Sequence, residues 1–166
     1  MNQDERNDEI EEYGRGIDLF AAALAKIPRA VWEFKPAPAE WSIHETIVHM
    51  ADSESMGALR ARKLIAGPGS KLMPYEDAIW ARELNYELQS VNEALEFFRL
   101  ARLTTYHLIK TVPEQVFANA VEPPGPVHPE FGELYTLDKW LRIYTGHIHD
   151  HIEQLRKNHL AWKEKN

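Results

Sequence analysis

The sequence predicts an all-α protein, a four-helix bundle in a single domain spanning residues 1–166. Three observations carry that prediction. Four long stretches place apolar residues three and four apart, which puts them on one helix face. Pro and Gly breaks separate the stretches. No segment alternates with period two over a useful length, so no sheet is expected.

The first helix is predicted over about residues 4–27, where Ile10, Tyr13, Ile17, Phe20, Leu24 and Ile27 form the stripe. Gly14 and Gly16 count against it, since each costs up to about 1 kcal/mol in a helix interior. Pro28, Pro36 and Pro38 mark a connecting segment. Ser42 and Glu45 form a capping box that opens the second helix, and Gly67-Pro68-Gly69 stops it after about Ile65. Its stripe reads Ile43, Ile47, Met50, Ala51, Ala58, Ala61 and Ile65.

A short extra helix is expected over about 75–87. Ser90 and Glu93 make a second capping box, and Pro113 ends the helix that follows. Residues 119–136 hold four prolines and two glycines, which predicts a long Pro-rich loop before the last helix. Thr136 is the expected N-cap of that last helix, about 137–162. Four amphipathic helices in one small chain bury their stripes against one another as a bundle.

Composition excludes several function classes. The chain has no Cys, which removes disulfides, thiolate metal sites and a cysteine nucleophile. Nineteen basic and 26 acidic residues give a net charge of -7, so no nucleic-acid partner is expected. The longest apolar run, Leu19 to Ala25, is too short to span a membrane, so no membrane partner is expected either. The acidic start MNQDERNDEIEE is unlike a signal peptide, and a cytoplasmic location is the expectation. Six acids against Arg6 in residues 1–12 suit the positive end of the first helix dipole.

Eight histidines remain to be sorted. Metal sites in bundles use side chains that project inward from facing helices. In the last helix, His147 and His151 share the inward side with Trp140 and Tyr144, one turn apart, so both imidazoles can reach one ion. The same spacing is satisfied by one core His beside one surface His. Ile148 stands where a zincin motif needs Glu. His149 faces away. His49 lies on the flank of the second helix with Ser53, Met56 and Arg60, where a ligand or a hydrogen-bonded core His both fit. His44, His107, His128 and His159 have no partner at ligand spacing.

Two longer patterns are more specific. Trp41 to Glu54 resembles the W-S-x-x-E-x-x-x-H-x-x-x-x-E signature of the DinB-like (DinB/YfiT) superfamily. His128-Pro129-x-x-Gly132, Thr136-Leu137-x-x-Trp140 and His147-x-x-x-His151-x-x-Gln154-Leu155 are similar to its C-terminal signature. The resemblance implies an up-down-down-up bundle and a divalent metal held by His49, His147 and His151. It also implies related activities: S-transfer or isomerisation with low-molecular-weight thiols such as bacillithiol or mycothiol, and metal-dependent hydrolysis. Homodimers are common in families of this kind.

Three neutral imidazoles leave an ion its full charge and an open position for water or a substrate atom. Zinc is the default, with nickel, manganese and iron as alternatives. A thiol used by this chain must be an external low-molecular-weight one. Asp52, three residues after His49, is a candidate acceptor for a ligand N–H, while Glu45 is assigned to its capping box. Glu54 and Arg102 both fall on inward faces, where they pair, or Arg102 serves a substrate carboxylate. Trp140 and Tyr144 either wall the metal pocket or belong to the core. The Pro-rich loop is expected to cover the open position. Three functions fit: a metal-dependent transferase or hydrolase acting on a small molecule, a bundle merely stapled by metal, and a helical binding module without metal.

Overall fold

A computed structural model describes residues 1–122 and 134–166. The core of the Pro-rich loop, with His128, lies outside the described residues. Among the described residues there are five α-helices: α1 (Gln3–Leu24), α2 (Ile43–Ala66), α3 (Asp77–Glu83), α4 (Val91–Ile109) and α5 (Leu137–Lys165). α3 is the short extra helix, and a single 3₁₀ turn, Tyr86–Leu88, follows it. The other four form the bundle.

Their starts follow from local chemistry. The Ser42 hydroxyl accepts from Glu45 N, and the Glu45 carboxylate accepts from Ser42 N, closing the capping box. A cap of this kind stabilises a helix by about 1 kcal/mol. Thr136 caps α5 by accepting from Lys139 N. Ser90 accepts from Glu93 N at 3.4 Å, but Glu93 makes no return bond, so the second expected box is only half formed. α1 stops at Leu24, earlier than expected. Lys26 and Ile27 bond back three residues rather than four, tightening the chain before Pro28.

Side-chain pairs give the helix directions. Arg6 meets Asp138 and His149 meets Glu12, so α1 and α5 run parallel. Arg102 meets Glu54 and Arg62 meets Thr105, so α2 and α4 run parallel. His49 meets His147 and Arg60 meets Tyr144, so α2 and α5 are antiparallel. Phe20 packs on Phe98, and Tyr106 and Lys110 reach Glu11, so α1 and α4 are antiparallel. The topology is therefore up-down-down-up, with α1 between α4 and α5, and α2 between the same two on the far side.

A parallel α2/α4 pair requires a return crossover along the side of the bundle. Residues 67–90, including α3, make that crossover. It covers the outer side of α2, so α2 is buried almost all round in its first half, including Val48, His49 and Ser53. That is why its apolar stripe reads imperfectly: Ala58 and Ile65 are only half-buried, while Leu64 is fully buried.

The apolar core forms two clusters. One gathers Phe20, Ile43, Ile47, Phe98, Ile148 and Leu155, and the other Tyr13, Leu64, Ile109, Leu137, Trp140 and Tyr144. Between them lies a buried polar layer. Arg102 donates from Nε to Tyr13 O at 2.8 Å, from Nη1 to Glu54 Oε2 at 2.7 Å and from Nη2 to Tyr144 O at 3.1 Å. The Tyr13 hydroxyl donates to the other Glu54 oxygen. A Cβ on Gly16 would sit 2.8 Å from Arg102 Nη2, and one on Gly14 would sit 2.7 Å from the Tyr106 ring. The two glycines that weaken α1 by propensity are thus the places where α4 side chains approach it most closely.

The expectation of no sheet is also corrected. A two-residue antiparallel pair, Ala120–Val121 with Tyr135–Thr136, closes the base of the Pro-rich segment. Strands this short leave no alternation to read. No helix among the described residues is long and apolar enough to cross a membrane.

Candidate metal centre

His49 projects from the second turn of α2 and is 2% exposed. His147 and His151 stand one turn apart on α5, their ring centroids 4.4 Å apart. The antiparallel docking of α2 on α5 brings the three together. His147 Nε2 lies 3.2 Å from His49 Nε2 and 2.9 Å from His151 Nε2. One ligand atom from each residue falls within a 4.8 Å cluster, and no carboxylate joins it among the described residues.

The outer nitrogens are already engaged. His151 Nδ1 faces Gln154 Oε1 at 2.7 Å, a carbonyl acceptor, so that nitrogen carries the proton and Nε2 is left with a lone pair. His49 Nδ1 faces the Tyr75 hydroxyl at 3.2 Å. Burial, with the neighbouring His151 and His147 adding to it, depresses His49 to about 2. Burial, then His151 and Arg102, depress His147 to about 3. Burial also lowers His151, against the opposing Gln154 bond.

All three imidazoles are therefore neutral at ordinary pH. A proton on His147 Nε2 can be shared with only one neighbour, so one close nitrogen pair is left with no hydrogen between its atoms. A cation removes that conflict. Tetrahedral zinc with nitrogen ligands at about 2.0–2.1 Å places those nitrogens about 3.4 Å apart, close to the separations seen. The residues present fit a divalent ion.

Aromatic side chains wall the cluster. The Trp41 ring lies 4.7 Å from the His49 ring, delivered by the segment that crosses the bundle end between α1 and α2. Tyr75 comes from the α2–α4 crossover and packs edge-on against Trp80, with centroids 4.8 Å apart. Burial raises the Tyr75 phenol well above its ordinary value, so it stays neutral beside His49.

Other expected site residues take different places. Asp52 does not accept from a ligand imidazole: its Oδ2 accepts the Tyr86 hydroxyl at 2.7 Å. Asp52 is thus tied to the crossover through Tyr86. Arg102 is fully buried and paired with Glu54, so it is not available to a substrate carboxylate. Trp140 is fully buried and donates to Gly57 O at 2.9 Å, which makes it core. Tyr144 stacks on Trp140 and also stands 6.3 Å from the His147 ring. His149 is exposed and bonds Glu12 at 3.0 Å, and His44 bonds Gln89 O at 2.9 Å. Glu45 closes its box and holds Lys35 at 2.7 Å.

Sequence reasoning gave no role to Tyr75, Gln154 or Arg60. Gln154 had a usable signal, since it sits three residues after His151 on the same helix face. Tyr75 had none, because it arrives from a crossover whose path depends on the whole bundle.

A four-helix bundle with a parallel central pair and three converging histidines defines a metalloprotein-like class. The profile of the DinB superfamily matches residues 12–155, and the chain belongs to that superfamily. Among its relatives, a Bacillus subtilis protein named "putative metal-dependent hydrolase YfiT" is 27% identical over 157 residues, covering 87% of this chain and 83% of that one. A Halalkalibacterium halodurans protein, "putative metal-dependent hydrolase BH0277", is 19% identical over 117 residues, covering 70% of this chain and 64% of that one. The solved structure of YfiT from Bacillus subtilis, described as having an unusual four-helix bundle topology, superposes with a TM-score of 0.82 at 17% identity. It covers 95% of this chain and 87% of that one.

Proposed function

We propose that this chain is a metal-dependent hydrolase acting on a small molecule, with a divalent ion, zinc first, held by His49, His147 and His151. The observation that carries the reading is the convergence of three neutral Nε2 atoms with no carboxylate closing the set among the described residues. A structural zinc site normally closes with a fourth protein ligand, whereas a catalytic one keeps a position open. The names of both relatives support the same reading.

The ion would supply Lewis-acid chemistry, lowering the pKa of a bound water or thiol. The chain's own residues do the rest. Gln154 and Tyr75 fix the ring orientation of His151 and His49 through Nδ1. Trp41 and Tyr75 keep bulk water off the His49 face. Water is the proposed nucleophile. An external low-molecular-weight thiol is the competing one, since the chain has no Cys to offer.

The test is elemental analysis of untagged protein beside His147→Ala. A stoichiometric divalent ion in the wild type and its loss in the variant is the expected result. A wild type that takes up neither zinc nor nickel, and gains no thermal stability from them, overturns the reading. Assaying ester and amide substrates with and without added thiols then separates the two nucleophiles.

A further inference from the structure

We propose that Arg60, Tyr135 and Tyr144 form a subsite for an oxyanion on the substrate, a carboxylate or phosphate, beside the three-histidine cluster. This rests on the hydrolase reading above and adds the substrate class to it.

Arg60 is half-buried, its Nε is fully shielded from solvent, and that nitrogen has no hydrogen-bond partner. No carboxylate pairs with Arg60 among the described residues. Among the described residues its hydrogen bond is a long 3.4 Å one from Nη1 to the Tyr144 hydroxyl oxygen. A shielded N–H on a cation that meets no acceptor is costly unless something anionic visits it.

Two hydroxyls stand beside it. Tyr135 is 8% exposed, and its buried Oη lies close enough to Arg60 to feel its charge but makes no well-aligned hydrogen bond among the described residues. Tyr144 accepts from Arg60, which leaves its own O–H free to donate. A tyrosine phenol keeps its proton at neutral pH, so both hydroxyls are donors. The Arg60 Nε–H, the Tyr135 O–H and the Tyr144 O–H are three donors in one neighbourhood, and among the described residues no carboxylate or carbonyl oxygen accepts from them. That is the inverse of an oxyanion.

The place is right for a substrate. Eleven residues, close to three helical turns, separate His49 from Arg60, so both leave α2 on one flank. Helical side chains lean toward the helix N-terminus, which tilts Arg60 back toward His49. The Tyr144 ring stands between the two parts, 6.3 Å from the His147 ring and with its hydroxyl on Arg60. An anionic group bound there sits one tyrosine ring from the cluster. The role first considered for Arg102 belongs to Arg60, since Arg102 is saturated by Glu54 and two carbonyls.

The test uses the full chain freed of metal with chelator. Sodium acetate and inorganic phosphate are titrated separately at constant ionic strength, and the Arg60 Nε–H resonance is followed by NMR. Saturable movement with either probe is expected, and the better probe tells carboxylate from phosphate ester. Tyr135→Phe should weaken binding about 3–10-fold, the value of one lost hydrogen bond. Arg60→Met should abolish the thermal stabilisation that the better probe gives the wild type. Without anions Arg60→Met should melt no lower than wild type, because a residue held for structure would be missed. No saturation, equal stabilisation in Arg60→Met, or a marked drop in its melting temperature overturns the proposal. Because the protein is metal-free, failure of the metal reading leaves the anion titration intact, and zinc uptake by Arg60→Met reports on the metal site alone.

Discussion

Arg102→Met is the perturbation whose cost follows most directly from the structure. Methionine keeps much of the aliphatic volume but removes three donors at once. The Glu54 carboxylate, 1% exposed, then retains only the Tyr13 hydroxyl, and the Tyr13 and Tyr144 carbonyls lose their side-chain donor. Breaking a buried ion pair by removing one partner costs about 3–5 kcal/mol, mostly the burden of the charge left behind. At ~2–4 °C per kcal/mol for a chain of this size, the melting temperature should fall by roughly 6–20 °C. Urea unfolding followed by far-UV circular dichroism measures the loss directly. The double variant Glu54→Leu with Arg102→Met should be more stable than Arg102→Met alone, because the stranded charge is gone. A single-variant loss below about 1 kcal/mol, or a double variant whose losses simply add, would refute the account of the polar layer as a mutually dependent pair.

Two further outcomes are expected. In the metal-free protein the three cluster histidines have depressed pKa values, about 2 for His49 and about 3 for His147, while the unfolded chain takes up those protons near its ordinary value of about 6.5. Stability should therefore be full above about pH 6.5 and fall as pH drops toward 3, by about 1.4 kcal/mol each for His49 and His147 at pH 5.5. Urea midpoints at several pH values test this, and a slope unchanged in His147→Phe would rule it out. Tyr75→Phe removes the hydroxyl that faces His49 Nδ1 and should weaken zinc binding about 10–100-fold in a chelator competition, whereas unchanged affinity would deny Tyr75 that orienting role.

What could be read from the sequence was what local chemistry decides. Ser42, Glu45 and Thr136 announce their helix starts because caps act within four residues. His147 and His151 could be placed on one side of α5 because helical phase depends on spacing alone. Three things were out of reach. The burial of α2 depends on a crossover packed from outside. The partner of Asp52 depends on where Tyr86 lands. The lack of a carboxylate beside Arg60 among the described residues is a property of a neighbourhood, which no single segment encodes. Gly14 and Gly16 show the same divide: propensity marks them as weaknesses, and packing against Tyr106 and Arg102 explains their presence.

The separation of the cluster along the chain has a consequence for the unfolded state. His49 and His147 are 98 residues apart, yet their Nε2 atoms stand 3.2 Å from one another. An ion gripped by both ties the polypeptide into a closed loop of nearly a hundred residues. Tethering a loop of that length removes about 4–5 kcal/mol of disordered-chain freedom in the same way that a disulfide does. This chain has no sulfur from which to make such a bond. A bound ion would give it a removable cross-link instead, fastened between α2 and α5 and undone by a chelator.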